Sequence, residues 1–310
     1  MQRKACPTPT ILVTGSNGQV GFELRRSLAS LGRVVALGRA DCNLLDLDAV
    51  RAQLRRWRPD VIVNAAAYTD VDEAESDADT AFAVNGVAPG VMAEEARALG
   101  SLLVHYSTDY VFPGTGDRPH TETDAVGPSS VYGKSKLAGE QAIAQVDARA
   151  IVLRTSWVAG VYGHNFVRTI LELGRTRDVL RVIDDQIGAP TTASLIADVT
   201  ARIIDRQWLH ADRALFPVGI YHLAASGETS WHGYAKAVLS QAANCGAKLK
   251  IDAAHIQAVA SGAFPQVATR PRNSRLDTRK LSETFDIFLP AWQVGIEQLI
   301  EQIFFDTEHA

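Results

Sequence analysis

Cysteine is scarce in this chain: Cys6, Cys42 and Cys245 are the three present in 310 residues, and they are scattered. Without the close spacing of a zinc knuckle or redox pair, they exclude a disulfide scaffold and read as reduced thiols. Long apolar runs are missing too, since none approaches the about 18 residues of a membrane-spanning helix. The stretch Met1 to Thr10 carries Arg3 and Lys4 but then Pro7 and Pro9 where a leader would have its apolar core. The expectation is neither a signal peptide nor an anchor. An excess of one charge is also absent. Thirty-one basic side chains against 35 acidic ones give a net charge of -4, which argues against a nucleic-acid surface or a polybasic membrane patch. Internal repeats and low-complexity segments are lacking. These absences leave a soluble, cytoplasmic protein with small polar metabolites as its partners, and 46% hydrophobic residues are enough for a large core.

What is present begins with Thr10-Ile11-Leu12-Val13-Thr14, a β-branched apolar run of the kind that forms a buried parallel strand. Gly15-Ser16-Asn17-Gly18-Gln19-Val20-Gly21 follows and leads into a helix whose Phe22, Leu24 and Leu28 suggest one apolar face. Strand, glycine turn and helix are the phosphate-binding unit of a dinucleotide fold. Glycines let the backbone approach a pyrophosphate, and the first helical amides favour its charge. Arg33 to Leu37 reads as the second strand, and its end normally selects between NAD and NADP. Here Gly38-Arg39 removes the usual carboxylate and supplies a guanidinium, which favours NADPH, with NADH possible and Asp41 the alternative acid. Asn43-Leu44 is placed at a next strand end, within reach of an adenine, and Asp46 reads as a helix cap.

Pro59 to Asn64 is another buried strand. It runs into Ala65-Ala66-Ala67-Tyr68-Thr69, small residues that leave room for a cofactor, while Asp70 to Glu75 reads as the acidic start of a helix. Leu102 to Ser107 is the next strand, with Thr108-Asp109-Tyr110-Val111-Phe112 emerging from its end, a position that commonly carries chemistry in parallel sheets. A long loop rich in glycine and proline separates it from Val131-Tyr132-Gly133-Lys134-Ser135-Lys136. In a helix, Tyr132 and Lys136 share a face, and the ammonium is expected to lower the phenol pKa. Gly219 to Ala224 reads as a strand of a smaller lobe. Thr229 or Ser230 caps the following helix, His222 and His232 read as packing or hydrogen-bonding residues, and the helix from Trp292 to Phe305 closes the smaller lobe.

The glycine turn, Asn64-Ala65-Ala66-Ala67, Ser107-Thr108-Asp109-Tyr110-Val111-Phe112 and Tyr132-x-x-x-Lys136 occur in the order found in extended short-chain dehydrogenase/reductases, which the chain resembles. Ala67 to Glu75, Val182 to Thr191 and Arg270 to Leu276 narrow the likeness to the dTDP-4-dehydrorhamnose reductases, from about Ile11 to Phe304. The resemblance implies an α/β, Rossmann-type doubly wound parallel sheet in residues 1–157. Residues 158–310 would be mainly a smaller α/β substrate lobe, with some segments returning to the core. It implies Thr108, Tyr132 and Lys136 as catalytic residues. Cofactor contacts would come from Gly15, Gly18, Gln19, Val20, Gly21, Arg39, Asn43, Leu44, Ala67, Tyr68, Thr69 and Tyr106, together with Tyr132 and Lys136. Thr108, Asp109, Trp157, Asn165 and Arg270 would contact a nucleotide-sugar substrate. A glutamate-held metal of some relatives is not expected, because Ser194 stands where one ligand would be. A monomer or homodimer is expected. The alternatives are another nucleotide-sugar epimerase or dehydratase, or a non-catalytic dinucleotide-binding subunit, against which Thr108, Tyr132 and Lys136 argue.

Overall fold

A computed structural model describes residues 8–264 and 266–308; Cys6 and the stretch Met1 to Pro7 lie outside them. Six strands form one parallel sheet: β1 (Thr10–Thr14), β2 (Arg33–Leu37), β3 (Val61–Asn64), β4 (Leu102–Thr108), β5 (Ala150–Thr155) and β6 (Gly219–His222), in the order β2-β1-β3-β4-β5-β6. Apolar residues on both sides of these strands are explained by the layers they meet. On one face Ile11, Val13, Val61, Val63, Leu102 and Val104 pack with α1 (Gln19–Ser27) and, further along the chain, with Ala193–Ile204. On the other, Leu12, Ile62 and Leu103 pack with α2 (Leu47–Trp57) and with the long helical run through Ala78–Phe82 (α3), a wide turn at Ala83–Val87, and Ala88–Leu99 (α4). The chain order reverses between β1 and β3, and in sheets of this kind ligands bind beyond the strand ends at such a point.

Three local readings change. Asp46 does cap α2, accepting from Ala49 N at 2.9 Å, but no strand forms at Asn43-Leu44. Leu44 is instead buried in the core with Val50 and Leu54. Phe22 leaves the apolar face of α1, where Leu24 and Leu28 are fully buried; its ring lies edge-on to Tyr162, centroids 4.6 Å apart. Gly219–His222 belongs to the main sheet, in register with Ile151 to Arg154 of β5. It takes the sheet edge because Tyr221 and Leu223 complete the apolar layer on one side.

A second core gathers α6 (Phe166–Thr176), α8 (Trp231–Asn244) and α10 (Trp292–Glu308) through Val167, Ile170, Tyr234, Val238, Ile296 and Ile300. Short strand pairs stitch it together: Val158–Ala159 with Thr191–Thr192, Ile187–Gly188 with Thr229–Ser230, and Arg181–Ile183 with Gln257–Val259. Ser230 caps α8 by accepting from Gly233 N at 3.0 Å, which relieves an otherwise unpaired first-turn amide. Between these pieces the chain returns to the first core through α7 (Ala193–Ile204), β6 and α9 (Arg279–Phe285). No helix among the described residues is long and apolar enough to cross a membrane.

Candidate active site

The turn after β1 is shaped by close backbone approach. Gly15 takes φ +66, and a Cβ there would fall 2.6 Å from the Ala66 backbone; one on Gly21 would fall 2.1 Å from Gly15 O. Only glycine keeps that turn packed against the end of β3. Gly18 is the N-cap of α1 and offers no side chain, so no cap hydrogen bond occupies the first amides of the helix. That leaves the donor set a pyrophosphate uses, and the cradle therefore fits a dinucleotide. Gly38 lies against the same turn, a Cβ on it being 2.8 Å from Asn17 Nδ2. Arg39 therefore emerges beside the cradle, exposed and without a hydrogen bond or ion pair among the described residues. Asp41 is turned back, accepting from Gly38 N at 3.0 Å. Asn43 is exposed and accepts from Leu45 N. Ala67, Tyr68 and Thr69 follow β3 at the other side of the cradle, with Tyr68 held by a two-way bond to Asn85 at 2.9 Å each way.

The second half of the site stands at the end of β4 and the start of α5 (Val131–Ala144). Ser130 caps α5 through Gly133 N at 3.1 Å, and the Val131 amide donates to Glu75 Oε1 at 2.8 Å. This second bond gives the acidic stretch one of its uses: it serves a distant helix start as well as its own turn, where Asp70 accepts from Glu73 N. Tyr132 is half-buried, its ring edge-on to Tyr110 at 5.5 Å, and Thr108 stands near enough to its phenol to oppose the rise that burial causes. Thr108 also donates to Asp109 Oδ1 at 3.1 Å and accepts from Tyr110 N at 3.2 Å. Lys136 is buried, and its Nζ donates to Tyr106 O at 2.6 Å with His105 Nε2 at 3.4 Å.

The electrostatics reverse one expectation. Burial pushes the Tyr132 phenol up to about 12, with Thr108 opposing and Asp109 adding to the rise, and Lys136 makes no resolved contribution. The ammonium donates to the Tyr106 carbonyl and adds no resolved lowering to the phenol. Lys136 itself is brought down to about 8 by burial, against the pull of Glu140. Asp109 is raised to about 6, also by burial, which Ser274 and Thr108 only partly offset.

Other expected contacts sit differently. The Tyr106 ring belongs to the core, where its hydroxyl meets Thr200 at 2.8 Å; what it presents to the site is its carbonyl. Leu44 likewise offers no side chain to a ligand. Asn165 caps α6 through Arg168 N, and its Nδ2 donates to both Gln19 Oε1 at 2.9 Å and Gly160 O at 2.8 Å. Its amide is fully used inside the protein, so it is a joint and not a free substrate contact. Arg270 is gripped by Asp72 at 2.7 and 2.9 Å, which holds that carboxyl down at about 2. Trp157 has φ +48 and stacks on Trp231, centroids 3.7 Å apart. Neither Trp231 nor Ser274 was legible as a site residue. His105 was visible only as a polar residue in a strand otherwise buried and mostly apolar. Among the described residues, no three metal-ligating side chains converge; Ser194 donates to Thr192 Oγ1.

Comparison with known proteins gives one consistent result. Residues 9–304 match the family described as RmlD substrate binding domain. The chain is 45% identical to the dTDP-4-dehydrorhamnose reductase of Salmonella typhimurium over 301 residues, covering 96% of this chain and 99% of that one. Among solved structures it resembles a dTDP-4-dehydrorhamnose reductase of Clostridium acetobutylicum, with TM-score 0.86 and 32% identity over 95% of this chain and 99% of that one. It is equally similar in fold to the Bacillus anthracis reductase solved in complex with NADP, with TM-score 0.86, 30% identity and the same coverage.

Proposed function

The chain belongs to the dTDP-4-dehydrorhamnose reductase (RmlD) family, and from that membership and its cleft we propose the following reaction and division of roles. The protein is an NAD(P)H-dependent oxidoreductase that reduces the C4 ketone of dTDP-4-dehydro-beta-L-rhamnose to dTDP-beta-L-rhamnose, the last step of dTDP-L-rhamnose biosynthesis. The observation that carries the reading is that Thr108 ends β4 while Tyr132 and Lys136 lie one turn apart at the start of α5, with Lys136 Nζ held on the Tyr106 carbonyl of β4.

Reduced nicotinamide, when bound, supplies the hydride. Gly15, Gly18, Val20 and Gly21 form the cradle for its pyrophosphate, with Ala67, Tyr68 and Thr69 along the opposite wall. Arg39 stands where a ribose 2′-phosphate would be read, which makes NADPH the preferred form. Lys136 keeps two of its three protons for the mouth of the site after one goes to Tyr106 O. Tyr132 holds its proton at neutral pH, since its phenol titrates near 12, and releases it to the stronger base, the alkoxide developing at C4. Thr108 orients that oxygen by hydrogen bonding. Asp109 and Trp157 line the sugar side, and Arg270, fixed by Asp72, flanks it near Tyr110. The first lobe, ending at Trp157, serves mainly the cofactor. The remainder serves mainly the nucleotide sugar, with α7, β6 and α9 returning to the sheet. A cytoplasmic location follows from the soluble nucleotide-sugar and dinucleotide pools the reaction draws on.

The test is an assay of the purified protein with NADPH and dTDP-4-dehydro-L-rhamnose. Loss of NADPH absorbance with stoichiometric dTDP-L-rhamnose is expected; no NADPH oxidation at saturating substrate overturns the assignment.

A further inference from the structure

Three neighbouring strands place polar residues side by side on one buried face of the sheet. Thr14 of β1 is in register with Asn64 of β3, and Asn64 with His105 of β4. All three are 1% exposed, where apolar residues would otherwise pack, and each is hydrogen-bonded to the next. Thr14 Oγ1 donates to Asn64 Oδ1 at 2.7 Å, and Asn64 Nδ2 lies 3.0 Å from His105 Nδ1. The row ends at Lys136 Nζ, 3.4 Å from His105 Nε2.

The direction of this row is fixed by a backbone group. Ala66 N, which can only donate, points at Asn64 Oδ1 at 3.3 Å, so the oxygen of the amide must face that side and the NH2 must face histidine. His105 Nδ1 is therefore the acceptor. Burial and the nearby Lys136 charge hold the imidazole neutral, well below its ordinary pKa, and a neutral ring with a bare Nδ1 carries its proton on Nε2. That N–H confronts the lysine amine. Two donors facing each other make no hydrogen bond, in keeping with the long separation, while the contact from Lys136 to Tyr106 O is short at 2.6 Å.

We propose that His105, locked as its Nε2–H tautomer by the Thr14–Asn64 row, is a positioning residue for Lys136, turning the amine's protons away from the sheet toward the Tyr106 carbonyl and the mouth of the site. This rests on Lys136 being an active-site amine. An N–H aimed at Nζ also favours the neutral amine, whose lone pair it can engage, and so works in the same direction as burial. The other charged group acting on Lys136 is Glu140, one turn on along α5, which pulls the opposite way and is itself gripped by Arg154 of β5 at 2.6 and 2.9 Å. Thr14, Asn64 and the Tyr106 carbonyl carry no charge.

Two measurements test it. In the cofactor-free wild-type protein, nitrogen NMR of the His105 ring should show a bare Nδ1 and a protonated Nε2 from about pH 6 to about pH 9. A protonated Nδ1 overturns the proposal whether or not the enzyme turns over, which separates its failure from failure of the assigned reaction. The substitution His105→Asn keeps an acceptor near Asn64 and is too short to reach Lys136. It should raise the basic limb of the kcat profile by about 0.5 pH unit or more, a threefold tighter hold on the lysine proton. An unmoved or lowered limb overturns the proposal. Should His105→Asn fail to fold, the wild-type NMR result alone decides.

Discussion

Gln19 and Asn165 are joined at 2.9 Å, and the same Gln19 Oε1 also accepts from Gly160 N at 2.7 Å. The first residue of α1, standing on the glycine turn, is thus the bond between the cofactor cradle and the segment that starts the second lobe. Gln19→Ala removes the acceptor and leaves Gly160 N and one Asn165 N–H without their partner, a cost of about 1–3 kcal/mol for each buried group that water cannot reach. The expected result is a lower melting temperature together with a several-fold weaker NADPH affinity by fluorescence titration. Unchanged values for both would show that the joint is dispensable.

Tyr132→Phe keeps the ring against Tyr110 and deletes only the acidic proton. Turnover should fall by about 10²–10⁴, the usual range for a lost general acid, while the dissociation constant for NADPH stays within about twofold. Activity at wild-type level would assign the proton to another group.

Among the described residues no hydrogen bond or ion pair holds Arg39. Arg39→Ala should raise KM for NADPH by about tenfold or more, the scale of a lost charge-assisted hydrogen bond, and leave KM for NADH nearly unchanged. Equal losses with both cofactors would remove Arg39 from 2′-phosphate recognition.

Folded Asp109 binds its proton more tightly than an unfolded aspartate, about 6 against an ordinary 3.8, because burial penalises its charge. The stability this gives is complete below the unfolded value and is lost as pH rises through about 6, so at neutral pH the ionised carboxylate is a burden of roughly 3 kcal/mol. Asp109→Asn lifts that burden, less the cost of a buried amide NH2 where Oδ2 now lacks a partner. The variant should be about 1–2 kcal/mol more stable at pH ~7.5, with the gain vanishing near pH ~4, in denaturant titrations at the two pH values. A gain that is equal at both pH values, or absent from both, would refute the buried charge. Its KM for the sugar nucleotide should rise.

The parts of this protein that are local in sequence were readable from it. The glycine turn, the cap at Asp46, the strand bearing Thr108 and the Tyr132–Lys136 spacing each depend on residues within a turn or two of one another, and hydrophobic patterning exposes them. What depends on register or on distant pairing was not. Gly219–His222 is a strand of four residues, and nothing within it says which sheet it joins. Arg270 reads as a free cation until Asp72 is found beside it. Tyr106 reads as a site residue because its neighbours are, yet its ring packs into the first core, where its hydroxyl meets Thr200. The expected effect of Lys136 on Tyr132 is outweighed by burial: sharing a helix face puts two side chains on one side but does not decide what each head meets, and Lys136 meets a carbonyl.

Trp157 lies over Trp231 with the rings 14° from parallel, and it is so close to Gly188 that a Cβ there would sit 2.6 Å from its indole. Two indoles stacked at that separation couple their near-ultraviolet transitions. One ring stands on the segment that leaves β5 and the other opens α8. Both rings pack on the second core, so that core carries its own spectroscopic gauge of its packing, readable in near-ultraviolet circular dichroism without a label.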